Sequence, residues 1–276
     1  MDTPEKRTIR TLASKKDLWE YNILQNKPYI KYELSELWND FEKIDGCLVA
    51  ASPKLKDNLA EIKDRSRSSM KTEIVAVDMA AKFLIDNGIE PDFIVCCESS
   101  KEATRILDFD CDIPLICDVV TNPEIVKNWK GEKLFFVTNN SCIDLDNNKE
   151  LFWQRHQKLS GVTTMLKLGG NVGSAGLSYL LSVRNCKRIY LYGHEFCWKK
   201  GAEMYCGGIQ SELANKRIIT EQQAGTLYET TDMNNDTVYT NMSLQTFCDW
   251  YKDIMKMYPG VIVNNTNAGL LYTKES

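Results

Sequence analysis

Two short stretches hold residues whose types and spacing could do chemistry. The run Arg188-Ile189-Tyr190-Leu191-Tyr192-Gly193-His194-Glu195-Phe196 reads as an apolar strand that stops at Gly-His-Glu. His194 is one of only two histidines in the chain, and the other, His156, sits in a polar, helical context. A histidine at the carboxyl end of a strand, next to a carboxylate, can serve as a general base or hold a phosphate. In that role Glu195 would orient it. A half-solvated rim histidine satisfied by Glu195 or by backbone explains the same residues, and position alone leaves both readings open.

The second stretch is Leu168-Gly169-Gly170-Asn171-Val172-Gly173-Ser174-Ala175-Gly176, which follows a strand and opens a helix. Glycines let a backbone approach an anion closely, and a helix N-terminus offers unpaired N–H groups and the positive end of its dipole. Gly169, Gly170, Asn171, Gly173 and Ser174 are therefore candidates for a phosphate site. The spacing is not G-x-G-x-x-G and there is no P-loop lysine, so this is neither a dinucleotide fingerprint nor a Walker motif. A tight strand-to-helix turn that needs glycine for packing accounts for it equally well.

The elements that must position these residues alternate. Strands are expected at Cys47–Ser52, Glu73–Asp78, Asp92–Cys97, Ile113–Asp118, Lys133–Asn139, Thr163–Leu168, Arg188–Gly193 and Val261–Thr266. Helical patterns fill several gaps, at Leu55–Lys63, Met79–Asn87, Glu150–Leu159, Gly173–Val183 and Ser243–Tyr258. Near-continuous apolar strands alternating with helices predict an α/β fold with a doubly wound, mainly parallel, Rossmann-like sheet. Residues 1–45 read as a helical leader of two helices that pack on the main domain or on a partner subunit, with Leu18, Tyr21, Ile23 and Leu24 at roughly helical spacing in the first. Residues 46–276 form the nucleotide-binding domain, and 199–240, with Gly207-Gly208, read as a long loop or lid.

Each apolar run stops at a polar residue or glycine: Ser52, Asp78, Glu98, Asp118, Asn139-Asn140, Gly169-Gly170, Gly193-His194-Glu195 and Asn264-Asn265. In open parallel sheets these ends line the rim where ligands bind. Asp78 and Glu98 suit ribose hydroxyls or a Mg²⁺ ion beside phosphates, although Asp78 is also well placed to cap the helix that follows it.

Bulk properties narrow the class. The chain has 276 residues, 43% of them hydrophobic, and a formal net charge of −4, which disfavours a nucleic-acid partner. No run reaches membrane-spanning length. Ten cysteines include no C-x-x-C pair, and Cys47, Cys96, Cys97 and Cys117 fall in apolar strands. Free, buried thiols behind an N-terminus without an apolar leader predict a cytoplasmic protein, and no metal site is expected from them.

The residues also carry a resemblance. Cys47–Leu55, the Asp78 to Ser100 block, Gly169–Gly193 and a tail containing Val238-Tyr239-Thr240-Asn241 and Val263-Asn264-Asn265-Thr266-Asn267-Ala268-Gly269 resemble the motility accessory factor (Maf) family of flagellin glycosyltransferases. Their central domain is shared with 6-hydroxymethylpterin diphosphokinase (MptE-like) proteins. The Gly193-His194-Glu195-Phe196 strand end also looks like that of bacterial sialyltransferases. The first loop departs from the family pattern G-x-G-P-S, reading Ala50-Ala51-Ser52-Pro53-Lys54, and Cys97-Glu98-Ser99-Ser100 stands where the diphosphokinases carry a D-x-D cluster.

The resemblance implies a transferase that moves a sugar from a CMP-linked nonulosonic or sialic acid donor to a hydroxyl on a protein or glycan. His194 and Glu195 would be catalytic. Ser52, Pro53, Asp78, Glu98, Asn139, Asn140, Gly169, Gly170, Asn171, Gly173, Ser174, Gly193, Tyr239 and Asn241 would bind the donor. An ATP- and Mg²⁺-dependent diphosphokinase is the alternative, and a non-catalytic nucleotide-binding protein a second. A homo-oligomer is left open.

Overall fold

The structure, a computed structural model, describes residues 4–37, 43–68, 71–139, 151–199, 202–206, 218 and 225–272. In chain order its elements begin with helix α1 (Pro4–Asn26), strand β1 (Tyr32–Glu33), β2 (Asp45–Val49), α2 (Leu55–Arg67), β3 (Thr72–Val77) and α3 (Asp78–Asp86). They continue with β4 (Phe93–Cys96), β5 (Leu115–Asp118), α4 (Pro123–Asn128), β6 (Lys133–Asn139), α5 (Phe152–Ser160), β7 (Met165–Lys167) and α6 (Val172–Ser178). Last come β8 (Arg188–Tyr192), β9 (Leu227–Thr231), β10 (Thr237–Asn241), α7 (Met242–Met257) and β11 (Ile262–Asn264). The fold is α/β and its sheet mainly parallel, as the alternating pattern predicts.

The chain divides into two compact units, one of residues 1–41 and 93–184, the other of 42–92 and 185–276. In the first, β4, β5 and β6 pair in parallel, and both β1 and β7 join β6. All four residues of β5 are buried, as expected of a strand covered on both faces. Helix α1 packs on α4 and α5, and α6 packs against β4 and β7. Its final turn widens to π-helical geometry over Tyr179–Val183.

In the second unit β2 lies between β3 and β8, and β11 extends the sheet beyond β8, all parallel. A polar network anchors α2 to this sheet. Arg65 Nε donates to Tyr192 Oη at 2.7 Å, and its guanidinium lies 3.5 Å from the centre of the Tyr190 ring. Glu61 accepts from Arg65, Tyr192 and Asn265, and these bonds outweigh its partial burial, holding its carboxyl below the usual range.

The structure adds detail to three expectations. Among the described residues no second α-helix follows α1 in the leader: the chain makes a 3₁₀ turn at Lys27–Tyr29, where Pro28 cannot continue the ladder, enters β1 beside β6, and makes another 3₁₀ turn at Leu34–Leu37. Of the apolar residues spaced along α1, Ile23 is buried, in company with the polar Asn22 and Asn26, whereas Leu18, Tyr21 and Leu24 are 40%, 59% and 52% exposed. Within 199–240, Gly207-Gly208 lie outside the described residues, but 227–241 forms an antiparallel hairpin of β9 and β10. Its turn is held by Asp232, whose Oδ1 accepts the N–H groups of Asn234 and Asp236.

Candidate functional site

Register puts the carboxyl ends of the first unit's strands on one edge. Cys96 lies beside Cys117, Asp118 beside Phe136, and Asn139 beside Lys167. The Glu98, Asp118, Asn139 and Gly169 segments therefore leave together, as a ligand rim requires. Asn140 lies outside the described residues.

The glycine loop is built from its own polar groups. Asn171 Oδ1 caps α6 by accepting the Ser174 N–H at 2.8 Å. The buried Ser174 hydroxyl donates to the Asn171 carbonyl at 2.5 Å and accepts the Gly169 N–H at 2.8 Å. Gly170 adopts a left-handed φ of +96°, which the turn needs. The side chains of Asn171 and Ser174 are thus committed to the loop. What the loop can offer an anion is backbone: the Val172 and Gly173 N–H groups of the first turn, whose positions leave them no partner within the helix, the Ser174 N–H being taken by Asn171. Gly173 is buried in the packed start of α6.

The neighbouring segments on this edge are also internally satisfied. Glu98 Oε1 accepts the N–H of Ser100 at 3.0 Å, and its backbone carbonyl accepts from Asn122 at 2.9 Å. Asp118, 2% exposed, accepts from the Val120 N–H and the Thr138 hydroxyl. Burial pushes its carboxyl up to about 6 in spite of those donors. Loops 98–100 and 119–121 are further held from outside the sheet by Trp19, Asn22 and Asn26 of α1. Sequence reasoning missed these three. The available signal was polar spacing, Trp19-x-x-Asn22-Ile23-x-x-Asn26, which is one helical face.

In the second unit the register aligns Val49 with Ala76 and Tyr192, and Leu191 with Asn264. Its carboxyl edge gathers Ala50–Lys54, Asp78, Gly193–Phe196 and Asn265–Gly269. Glycine lets these segments touch. A Cβ on Gly269 would stand 2.3 Å from the Glu195 carbonyl oxygen, and Gly269 has φ +85°. The Leu270 N–H donates to that same carbonyl at 2.8 Å.

Glu195, 7% exposed, turns its carboxylate to the first loop, where Oε1 accepts the Lys54 N–H at 2.6 Å. Burial raises its pKa, opposed by Ser52 and Lys54 and reinforced by Asp232. Ser52 and Pro53, half-buried, shape the turn that presents this N–H, the Ser52 carbonyl accepting from Leu55 at 3.0 Å. Asp78 occupies the first turn of α3, with Oδ1 on the Met79 N–H at 2.7 Å.

His194 is 3% exposed, so the half-solvated rim histidine is corrected: its ring lies inside, against Phe196 and Tyr251 with centroids 6.1 and 5.2 Å away. Glu195 does not orient it. Nδ1 lies 2.9 Å from the Tyr192 carbonyl, which can only accept, so Nδ1 carries the proton and Nε2 a lone pair. Burial lowers the imidazole to about 4, leaving it neutral at neutral pH. Among the described residues neither His194 Nε2 nor the Tyr251 hydroxyl has a hydrogen-bond partner.

Tyr239 and Asn241 are engaged elsewhere. Tyr239 Oη donates to Glu229 across the hairpin at 2.7 Å, and Asn241 Oδ1 caps α7 on the Leu244 N–H at 2.8 Å. His156 is likewise buried, against Trp19 and Phe152, rather than in the polar setting its sequence neighbours suggest.

A family model described as 6-hydroxymethylpterin diphosphokinase MptE-like matches residues 21–201. This chain belongs to the MptE-like family. Among solved structures the MptE-like chain is similar to the MAf glycosyltransferase from Magnetospirillum magneticum AMB-1, with a TM-score of 0.63 and 15% identity. The likeness covers 93% of this chain and 37% of that one, so the chain spans little more than a third of the larger protein. At that identity it is a likeness of fold. No curated protein sequence matches. Among the described residues no helix is long and apolar enough to cross a membrane.

Proposed function

We propose that this MptE-like chain is a transferase for a nucleotide-activated sugar, a CMP-linked nonulosonic or sialic acid in the first instance, acting on a hydroxyl of a protein or glycan. The observation that carries this reading is the extent of the fold likeness. It takes in 93% of the chain, well beyond the matched family segment, and the protein it points to is a glycosyltransferase. In the first unit the reading gives the donor phosphate to the backbone of Gly169–Ser174 and the ribose or base to Glu98 and Asn139. Taken by itself, the second unit holds a buried carboxylate, Glu195, whose raised pKa suits a general base or acid. Sugar transfer needs the departing phosphate stabilised, the task this reading gives to the backbone of the glycine loop.

The family description favours a second reading, a pterin diphosphokinase. Diphosphate transfer from ATP leans on Mg²⁺ to neutralise charge. The loop Cys97–Ser100 supplies a single carboxylate for that purpose, and Glu98 already accepts the Ser100 N–H. We therefore expect donor binding without a requirement for Mg²⁺. A reducing, cytoplasmic setting suits the free cysteines, most of which are buried.

The test is a thermal-shift screen with CMP, CMP-sialic acid, UDP-sugars, ATP and GTP, each with and without Mg²⁺. A specific ligand at a hundred times its Kd adds about 2.7 kcal/mol of stability. Stabilisation by cytidine nucleotides independent of Mg²⁺ supports the glycosyltransferase. Strictly Mg²⁺-dependent ATP binding with pterin turnover replaces it with the diphosphokinase, and no response to any nucleotide ends both.

A further inference from the structure

Helix α1 presents Trp19, Asn22, Ile23 and Asn26 on one face, the i, i+3, i+4, i+7 spacing of a helical stripe. Ile23 is fully buried, Asn22 and Asn26 are 1% and 0% exposed, and Trp19 is half-buried. The two asparagines use their donors on backbone carbonyls far away in sequence. Asn22 Nδ2 donates to Ser99 O at 3.0 Å and Val120 O at 2.9 Å, bridging the loops that leave β4 and β5. Asn26 Nδ2 donates to Val119 O at 3.0 Å and Thr121 O at 2.7 Å, holding both sides of the β5 loop. Trp19 adds its indole N–H on Ser99 Oγ at 3.0 Å.

The amide orientation follows from the partners. Carbonyls only accept, so each asparagine must direct its NH₂ group at them, and the Asn26 amide oxygen is left without a partner among the described residues. Burying an amide oxygen unpaired is unfavourable. Its return is the pair of bonds to Val119 O and Thr121 O, which an apolar side chain could not make. What the asparagines achieve is fixation of two loops at once.

We infer that Asn22 and Asn26 are positioning residues for the ligand rim of the first unit, and that α1 is a brace for that rim rather than a detachable leader. The inference rests on the proposed donor site, since Glu98 lies in one of the braced loops. The loops are also joined to each other, Asn122 donating to Glu98 O at 2.9 Å and to Ser100 O at 3.0 Å. Displacement of the brace therefore moves the pair as one body and shifts Glu98 with it.

The experiment uses the full chain with Asn22→Asp and Asn26→Asp, which keep side-chain size but set carboxylate oxygens against the carbonyls. Two readouts are taken: the Kd for CMP by calorimetry at pH 8 and pH 5, and amide hydrogen exchange. At pH 8 each variant is expected to bind CMP about tenfold more weakly than wild type, the scale of one lost buried hydrogen bond. At pH 5 the new carboxyl, buried and facing acceptors, is protonated and donates again, so part of the affinity returns. Exchange should quicken in 98–100 and 119–122 while the amides of β4 and β5 keep their protection.

Wild-type Kd in a folded variant, or exchange that rises uniformly through the chain, overturns the inference. Should both aspartate variants fail to fold, Trp19→Phe removes one donor to Ser99 and is read by the same criteria. If wild type itself ignores CMP, the donor reading falls, and the exchange pattern alone decides whether α1 braces the loops.

Discussion

Gly193 passes the Ala50 carbonyl so closely that a Cβ at 193 would stand 1.9 Å from its oxygen, and Gly193 has φ +71°. The contact is fixed from both sides, because the Ala50 N–H donates to the Tyr192 carbonyl at 2.8 Å. It is the joint at which the first loop meets the Gly-His-Glu strand end. Gly193→Ala should cost more than about 3 kcal/mol, since backbone rather than a side chain must give way. Gly161, at the end of α5, is the control: φ is +84° but a Cβ meets nothing within 4 Å. Gly161→Ala should cost only the left-handed penalty, about 1–2 kcal/mol. Urea midpoints measure both, and equal losses would show that the close approach carries no energy.

The two buried histidines make stability fall in acid. Burial lowers both His156 and His194 to about 4, against an ordinary value near 6.5. Below pH ~6.5 the unfolded chain takes up these protons and the native one resists, so their contribution is whole above that pH and is lost as pH falls towards 4. With about 1.4 kcal/mol per pKa unit, each group accounts for on the order of 3 kcal/mol. His156→Gln should flatten the decline between pH 6.5 and 4.5 in urea titrations. An unchanged slope would mean that the native state protonates His156 freely.

Much of the fold was legible because its strands are buried on both faces and carry an unbroken apolar signal. Lys133–Asn139 has the expected bounds, and β8 and β5 lie inside theirs. Helix α1 was misread for the opposite reason. Leu18, Tyr21 and Leu24 look like a core stripe; the polar spacing of Trp19, Asn22 and Asn26 marks another face, but it does not name the partners of the asparagines, carbonyls some hundred residues away. The hairpin of β9 and β10 was missed because its residues alternate weakly, and β9 has no buried residue to give an apolar signal. For the site, strand ends were visible, but whether a side chain faces the rim was not. Ser174, Asn171 and Asn241 look like ligand contacts and serve as caps and loop ties, since the same oxygen chemistry suits both tasks.

Asp118 has the opposite sign to the histidines. Its carboxyl is raised by burial from 3.8 to about 6, so the stability it contributes is complete below pH ~4 and is lost as pH rises through 6. Asp118→Asn keeps an oxygen for the Val120 N–H and removes the buried charge. The variant should be more stable than wild type at pH 8 by about 1 kcal/mol or more, with the gain shrinking at pH 4.5. A difference that does not change with pH would assign the effect to packing.

Glu195 and His194 separate by how each meets its surroundings. Both are buried, but the Glu195 carboxylate is held at the first loop by Lys54, whereas the His194 ring is enclosed by Phe196 and Tyr251. Glu195→Gln keeps an acceptor for the Lys54 N–H, so the fold should survive, while turnover falls by roughly 10²–10⁴, the range for a lost proton-transfer group. In wild type the acid limb of kcat/KM should lie above the ordinary carboxylate range, because burial raises Glu195, and it should vanish in the variant. His194→Gln should do the reverse. It disturbs an aromatic cluster and the bond to the Tyr192 carbonyl, so the melting temperature drops while turnover per folded molecule holds. If instead His194→Gln abolishes turnover at unchanged stability and Glu195→Gln does not, proton transfer belongs to the Nε2 lone pair of His194. The ring would then have to be uncovered during the reaction, and hydrogen exchange across 193–198 in the presence of donor would report it.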